Sequence, residues 1–169
     1  MRVTQLATSS RQLAPAPTLG APPVRIVLLA TDLGPASRAA TDEAIALAAQ
    51  LGARLLVTSV VDTGEGGGDG SGRRVDQLRA GREAGAQEVV HEARARGIEA
   101  AFLVWEGDPG EAILNAAAAE GADLIVVGSR GRGPVGRLLL GSVSDHIVRH
   151  ADCPVLVVRG DSEPRKGAR

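Results

Sequence analysis

The sequence predicts an α/β domain built as a doubly wound, five-stranded parallel sheet with helices on both faces. Short, nearly unbroken apolar runs alternate with Ala-rich stretches of helical period, which is how strands buried on both faces and their crossover helices read. Glycines close almost every helical stretch. Only Phe102 and Trp105 are aromatic in 169 residues, so the core is assigned to Val, Leu, Ile and Ala.

The elements follow in order. Ala14 to Pro23 holds four prolines and precedes the apolar run Val24 to Ala30, so residues 1–23 read as a disordered tail and the domain as 24–159. Gly34 and Pro35 break the run. Ala39, Ala40, Ile45, Leu47, Ala48 and Leu51 then form a helical stripe that Gly52 ends. Arg54 to Val61 is the second strand. Thr63 to Gly72 carries six glycines in ten residues, and the span 63–74 reads as a flexible surface loop. A longer helix, marked by Val75, Leu78, Val89, Val90 and Ala93, closes at Gly97.

Ile98 to Trp105 is the third strand. Asp108, Pro109 and Glu111 form a helix start, with Asp108 as N-cap, proline at the first helical position and an acid three residues after the cap. Gly121 ends that helix, and Leu124 to Val127 is the fourth strand. Val143, Ile147 and Val148 mark a short last helix, Pro154 to Val158 is the fifth strand, and 160–169 is a charged tail. A sheet of this type takes its ligands at the carboxyl ends of its strands.

Composition excludes several classes of function. A net charge of −1 and a pI near 6.3 give no electrostatic footing for nucleic acid or anionic lipid as a primary partner. No apolar run reaches the roughly 20 residues that cross a bilayer. The single Cys153 cannot form an internal disulfide and reads as a small buried hydrophobe in a reducing, cytoplasmic setting.

The chemistry concentrates between Gly128 and Ser142. Gly128, Gly131 and Gly141-Ser142 form the spacing Gly, two residues, Gly, nine residues, Gly, Ser, starting where the fourth strand stops. Glycines there let backbone N–H groups approach phosphate oxygens, and Gly141-Ser142 opens a helix whose partial positive charge favours an anion. Ser142 is able to donate its hydroxyl or to serve as N-cap. Arg130, Arg132 and Arg137 make the segment positive. Gly131, Gly133 and Gly136 fit a dinucleotide fingerprint only superficially, because Pro134 interrupts it and no helix opens there. Gly136 to Ser142 has P-loop spacing without the phosphate-binding lysine. His146 and His150 share a helix face but lack a third metal ligand, and His91 has no companion.

These residues resemble the universal stress protein family from Val24 to Arg159. The similarity rests on Arg25-Ile26-Val27-Leu28-Leu29-Ala30-Thr31-Asp32, on Gly107-Asp108-Pro109, on Asp123 through Gly133, and on Leu140-Gly141-Ser142-Val143-Ser144 running to Cys153 through Val158. The resemblance implies strand order 3-2-1-4-5, a homodimer paired through the last strand, and membership of an ATP-binding branch. By position it implies that Asp32 accepts a hydrogen bond from adenine, with Val60 beside the base. Val127 and Gly128 would lie against base and ribose, and Gly131, Gly141, Ser142 and Val143 would supply donors to the phosphates. The expected nucleotide site is thus Thr31, Asp32, Val60, Val127, Gly128, Arg130, Gly131, Arg132, Gly141, Ser142, Val143 and Ser144, with ATP, alone or with Mg, as ligand. The implied function is a stress-response or regulatory binding module. The enzymatic alternative is slow ATP hydrolysis or autophosphorylation at Ser142 or Ser144.

Overall fold

The computed structural model describes residues 23–62, 71–129 and 140–160. Five strands, β1 (Ile26–Ala30), β2 (Arg54–Val61), β3 (Ala100–Glu106), β4 (Leu124–Gly128) and β5 (Val155–Val158), form one parallel sheet in the order β3-β2-β1-β4-β5. Helix α1 (Arg38–Leu51) follows β1 after a 3-10 turn at Pro35–Ser37. Helices α2 (Ser71–Ala95), α3 (Pro109–Glu120) and α4 (Ser142–His150) make the remaining crossovers.

Strand pleating divides the core into two layers. Val27, Leu29, Leu55, Val57 and Val126 face Ala40, Ala44, Ile45 and Ala48 of α1 and Ala86, Val89, Val90 and Ala93 of α2. Leu28, Ala30, Leu56, Val60, Ile125 and Val127 face Ala112, Ile113, Ala116 and Ala117 of α3 and Ile147 of α4. Alanine on the helices lets them lie close to a sheet of branched side chains. Each fully buried Leu, Ile or Val contributes about 1.5–3 kcal/mol of transfer free energy.

The ends of the elements are set as the sequence predicts. Gly52 and Gly121 cap α1 and α3 at φ 63° and 64°, a left-handed conformation that costs glycine little. The Asp108 side chain accepts the Glu111 N–H at 3.0 Å and so caps α3.

One expectation needs correction. Helix α2 begins at Ser71, so residues 71–74 of the predicted loop 63–74 are helical, while 63–70 lie outside the described residues. The run of Arg, Gln, Leu, Ala and Glu that follows Gly72 has high helix propensity, and a glycine in the first turn costs too little to prevent the start. Leu78 and Val148, which mark their helices in the sequence, do lie in α2 and α4 but are 46% and 45% exposed. For Leu78 the reason is length: 25 helical residues span about 37 Å against about 26 Å for the eight of β2, so the first turns overhang the sheet.

Candidate functional site: the crevice between the ends of β1 and β4

Strands β1 and β4 are neighbours in the sheet, with Ala30 opposite Val127, yet the chain leaves β1 toward one edge and β4 toward the other. Their carboxyl ends are thus the point where the winding of the sheet reverses, the place where open α/β sheets hold a ligand crevice. Asp32 stands on one side of it and Gly128 on the other.

The β1 side is held by a chain of hydroxyl groups. Thr31, only 7% exposed, takes its backbone bond from β2, its N–H donating to Thr58 O at 3.0 Å. Its Oγ1 accepts the Leu33 N–H at 3.0 Å and donates to Ser37 Oγ at 3.0 Å, and the Ser37 hydroxyl passes on to Gly34 O at 2.8 Å. This network fixes the turn that presents Asp32. The Asp32 carboxylate accepts the Gly34 N–H at 2.9 Å, and a Cβ at position 34 would lie 3.1 Å from the same oxygen, so glycine permits the close approach. Leu33 adopts φ 60°, uncommon for a residue with a side chain. Its side chain packs into the α1/α2 layer beneath Gly85, where a Cβ would come within 3.0 Å of Leu33 Cδ1. Arg82 reaches across from α2 to donate to Asp32 O.

The β4 side is held by backbone. Ser129 N–H donates to Val158 O at 2.8 Å, and Ser129 O accepts the Gly141 N–H at 2.9 Å. These two bonds place the start of α4 beside the end of β4. Gly141 occupies the N-cap position with extended backbone, φ −61° and ψ 154°, and no side chain caps the helix. Of the two roles open to Ser142, that of N-cap is thus taken by Gly141. Ser142, in the first helical position, is exposed, Val143 is half-buried, and Ser144 is buried with its hydroxyl donating to Gly141 O at 2.9 Å.

The floor lies between the two sides. Val60 and Val127 are 7% and 6% exposed on the α3/α4 face, and beneath Val60 the Thr58 hydroxyl is buried with no hydrogen-bond partner. Of the twelve residues expected at the site, Thr31, Asp32, Val60, Val127, Gly128, Gly141, Ser142, Val143 and Ser144 belong to the elements that border this crevice. Arg130, Gly131 and Arg132 lie outside the described residues.

Residues that sequence reasoning missed are those that position the others: Ser37, Arg82 and Ser129. Only Ser37 left a signal, a hydroxyl side chain six residues after Thr31 across a Gly-Pro turn.

Close by, α4 meets the start of α3. Gly110 is buried against His146, whose Cδ2 would lie 2.7 Å from a Cβ there. His146 Nε2 is buried 3.1 Å from Glu111 Oε1, near enough for an ion pair when the ring is protonated, though outside hydrogen-bond geometry. His150 stacks on His146 with ring centroids 4.4 Å apart. Among the described residues no group of three His, Cys, Asp or Glu side chains is arranged to hold a metal ion, and no helix is long and apolar enough to cross a membrane.

Comparison with known proteins agrees with this architecture. The family model for the universal stress protein family matches residues 23–159. Universal stress protein MJ0531 of Methanocaldococcus jannaschii is 33% identical over 145 residues, covering 83% of each chain. Several other curated members match over stretches that span less than half of their own length. The solved structure of UspA from Lactobacillus plantarum superposes with a TM-score of 0.70 at 25% identity, covering 82% of this chain and all of that one. A universal stress protein solved in complex with cAMP superposes with a TM-score of 0.63 at 28% identity, covering 82% and 98%. The sheet order, the family model over residues 23–159 and the relative that is 33% identical over 83% of each chain thus agree, and the chain belongs to the universal stress protein family.

Proposed function

We propose that this chain is a cytoplasmic, homodimeric regulatory module that binds ATP in the β1/β4 crevice and alters its affinity for a partner protein with nucleotide state. One observation carries the reading. Where the winding of the sheet reverses, Asp32 follows the end of β1, the uncapped N-terminus of α4 is tied to Ser129 just beyond the end of neighbouring β4, and Val60 and Val127 supply an apolar floor at the strand ends. Such a helix start favours an anion, and the floor suits a flat base. The relative in complex with cAMP supports an adenine nucleotide as the class of ligand.

Each residue then has a physical task. A carboxylate offers about four acceptor sites, so Asp32 is able to hold the Gly34 N–H and accept from the exocyclic amine of adenine. Val60 and Val127 exclude water from the base, and Gly128 admits the ribose without a Cβ in the way. The first-turn N–H groups of α4 and the Ser142 hydroxyl donate to phosphate oxygens, and Gly131, Arg130 and Arg132 complete the cradle from the preceding segment. Mg bound with the nucleotide would neutralise phosphate charge; the Ser142 hydroxyl is the protein group nearest in sequence to that role. Dimerisation is assigned to β5, a half-buried strand at the edge of the sheet whose outer backbone groups offer pairing to a second copy.

Isothermal titration of the purified protein, first freed of co-purified nucleotide, tests the reading. ATP should bind with saturable heat, and Asp32→Ala and Gly131→Ala should each weaken it about tenfold or more, the order expected for losing a hydrogen bond to a charged group or the close approach of a backbone. Absence of affinity at millimolar ATP, with no effect of either substitution, would refute it.

A further inference from the structure

Trp105, the chain's single tryptophan, lies outside every role assigned so far. It stands in register with Val60, its direct partner on the neighbouring parallel strand. In-register neighbours project from the same face of a sheet, and Val60 belongs to the face covered by α3 and α4. Leu103, two residues earlier, packs into that same layer. Trp105 is therefore the last residue of its face on β3, at the carboxyl end of the sheet, and it is 39% exposed while Val60 is 7% exposed. A large aromatic side chain stands open beside the closed floor of the crevice.

The spacing gives this placement a purpose. Ala30, Thr58 and Leu103 form one row across β1, β2 and β3. Two residues further on, the corresponding positions are Asp32, Val60 and Trp105. Strands lie about 4.8 Å apart, so β1 and β3 are separated by about 10 Å, the width that a purine occupies with its edges in van der Waals contact. A base resting on Val60 would have the Asp32 carboxylate at one edge and the Trp105 ring at the other side.

We propose that Trp105 is the outer wall of the base pocket, stacking on or against a purine and selecting it over smaller bases. This inference rests on the nucleotide reading above and adds to it a residue and a preference. Aromatic contact with a base is sequence-tolerant in general, but its strength scales with ring overlap, so a purine gains more than a pyrimidine.

Because Trp105 is the single tryptophan, its fluorescence reports on this position alone. Nucleotide binding is measured by titration calorimetry and, in parallel, by tryptophan emission and acrylamide quenching, using ATP, CTP and inorganic tripolyphosphate. The expected result is emission that changes with ATP along the calorimetric isotherm, with acrylamide quenching reduced in the complex. Trp105→Ala should bind ATP about five- to tenfold more weakly, narrow the gap between ATP and CTP, and leave tripolyphosphate binding unchanged, while Trp105→Phe should keep most of the affinity. Calorimetric ATP binding with unchanged emission and unchanged acrylamide access would overturn the role of Trp105 and leave the nucleotide reading standing; this outcome needs only the unsubstituted protein. No calorimetric ATP binding at all would overturn the underlying reading, and this inference with it.

Discussion

Thr31→Val isolates the hydroxyl chain that holds the β1 side of the crevice. Valine keeps the branched shape and removes only the oxygen, so no cavity opens. Two bonds are lost: the Leu33 N–H loses its acceptor at 3.0 Å and Ser37 Oγ loses its donor at 3.0 Å. A donor left unsatisfied in a partly buried place costs about 1–3 kcal/mol, whereas an acceptor that keeps its other bond costs less. Ser37 retains its own donation to Gly34 O, so the total should be about 2 kcal/mol. For a chain of this size that corresponds to a fall of roughly 4–8 °C in Tm. Urea denaturation monitored by circular dichroism should show a lower midpoint with an unchanged m-value. Ser37→Ala should be milder, and the double variant should cost less than the sum of the two, because the groups share a bond. The same substitution should weaken ATP binding, since Asp32 follows Thr31 directly. A loss of less than about 0.5 kcal/mol, or additive costs in the double variant, would show that the hydroxyl chain does not set the turn.

Three further predictions concern the α3/α4 contact and the amino ends of the strands. Gly110→Ala would place a Cβ 2.7 Å from His146 Cδ2 and should destabilise the fold by about 1–3 kcal/mol; adding His146→Ala should restore part of that midpoint in denaturant. The Cys153 thiol is pushed up from its ordinary value by partial burial first and then by the Asp123 and Asp152 carboxylates, so it should react with thiol reagents at pH 8 more slowly than a free cysteine, and much faster once the protein is unfolded. Being raised, it contributes stability that is complete below the ordinary thiol range and lost as pH climbs through the folded-state value. The Asp123 carboxyl is held below the usual aspartate range by the Arg25 and Ile26 N–H groups, both on Oδ2 at 2.8 and 2.9 Å. Its contribution is present above the ordinary aspartate value and lost as pH falls through the lowered one, so the acid-side fall in Tm should be shallower in Asp123→Asn than in the parent.

The strands and helix ends were readable because each depends on its own residues. Unbroken apolar runs require a strand covered on both faces, and Gly52, Gly121 and Asp108 act within a few residues of where they stand. The strand order was not readable in this way. Nothing local in β3 states that it pairs with β2 at the edge, and that expectation came from resemblance to a family. The positioning residues were also hidden. Arg82 meets Asp32 O across 50 positions, and Gly110 meets His146 across two helices, so both are products of packing that no window of sequence contains. Leu33 with φ 60° was hidden for a related reason: the conformation is imposed by Thr31, Gly85 and the α1/α2 layer, and leucine itself disfavours it.

The two sides of the crevice are therefore built on different principles, and this governs how each is lost. On the β1 side, Thr31, Ser37 and Asp32 act through side-chain oxygens, so conservative point changes there remove a specific bond each. On the β4 side, Ser129 and Gly141 act through N–H and C=O groups that every residue but proline possesses. Exchanging those side chains leaves the bonds in place, and the helix start is disturbed only by changes that alter backbone freedom or remove a donor. Proline at 141 would abolish the Gly141 N–H to Ser129 O bond and detach α4 from β4, whereas Ser129→Ala would keep both backbone bonds and lose only a small, buried hydroxyl. Sensitivity to side-chain chemistry should accordingly concentrate at residues 31–37, and sensitivity to backbone constraint at Ser129 and Gly141.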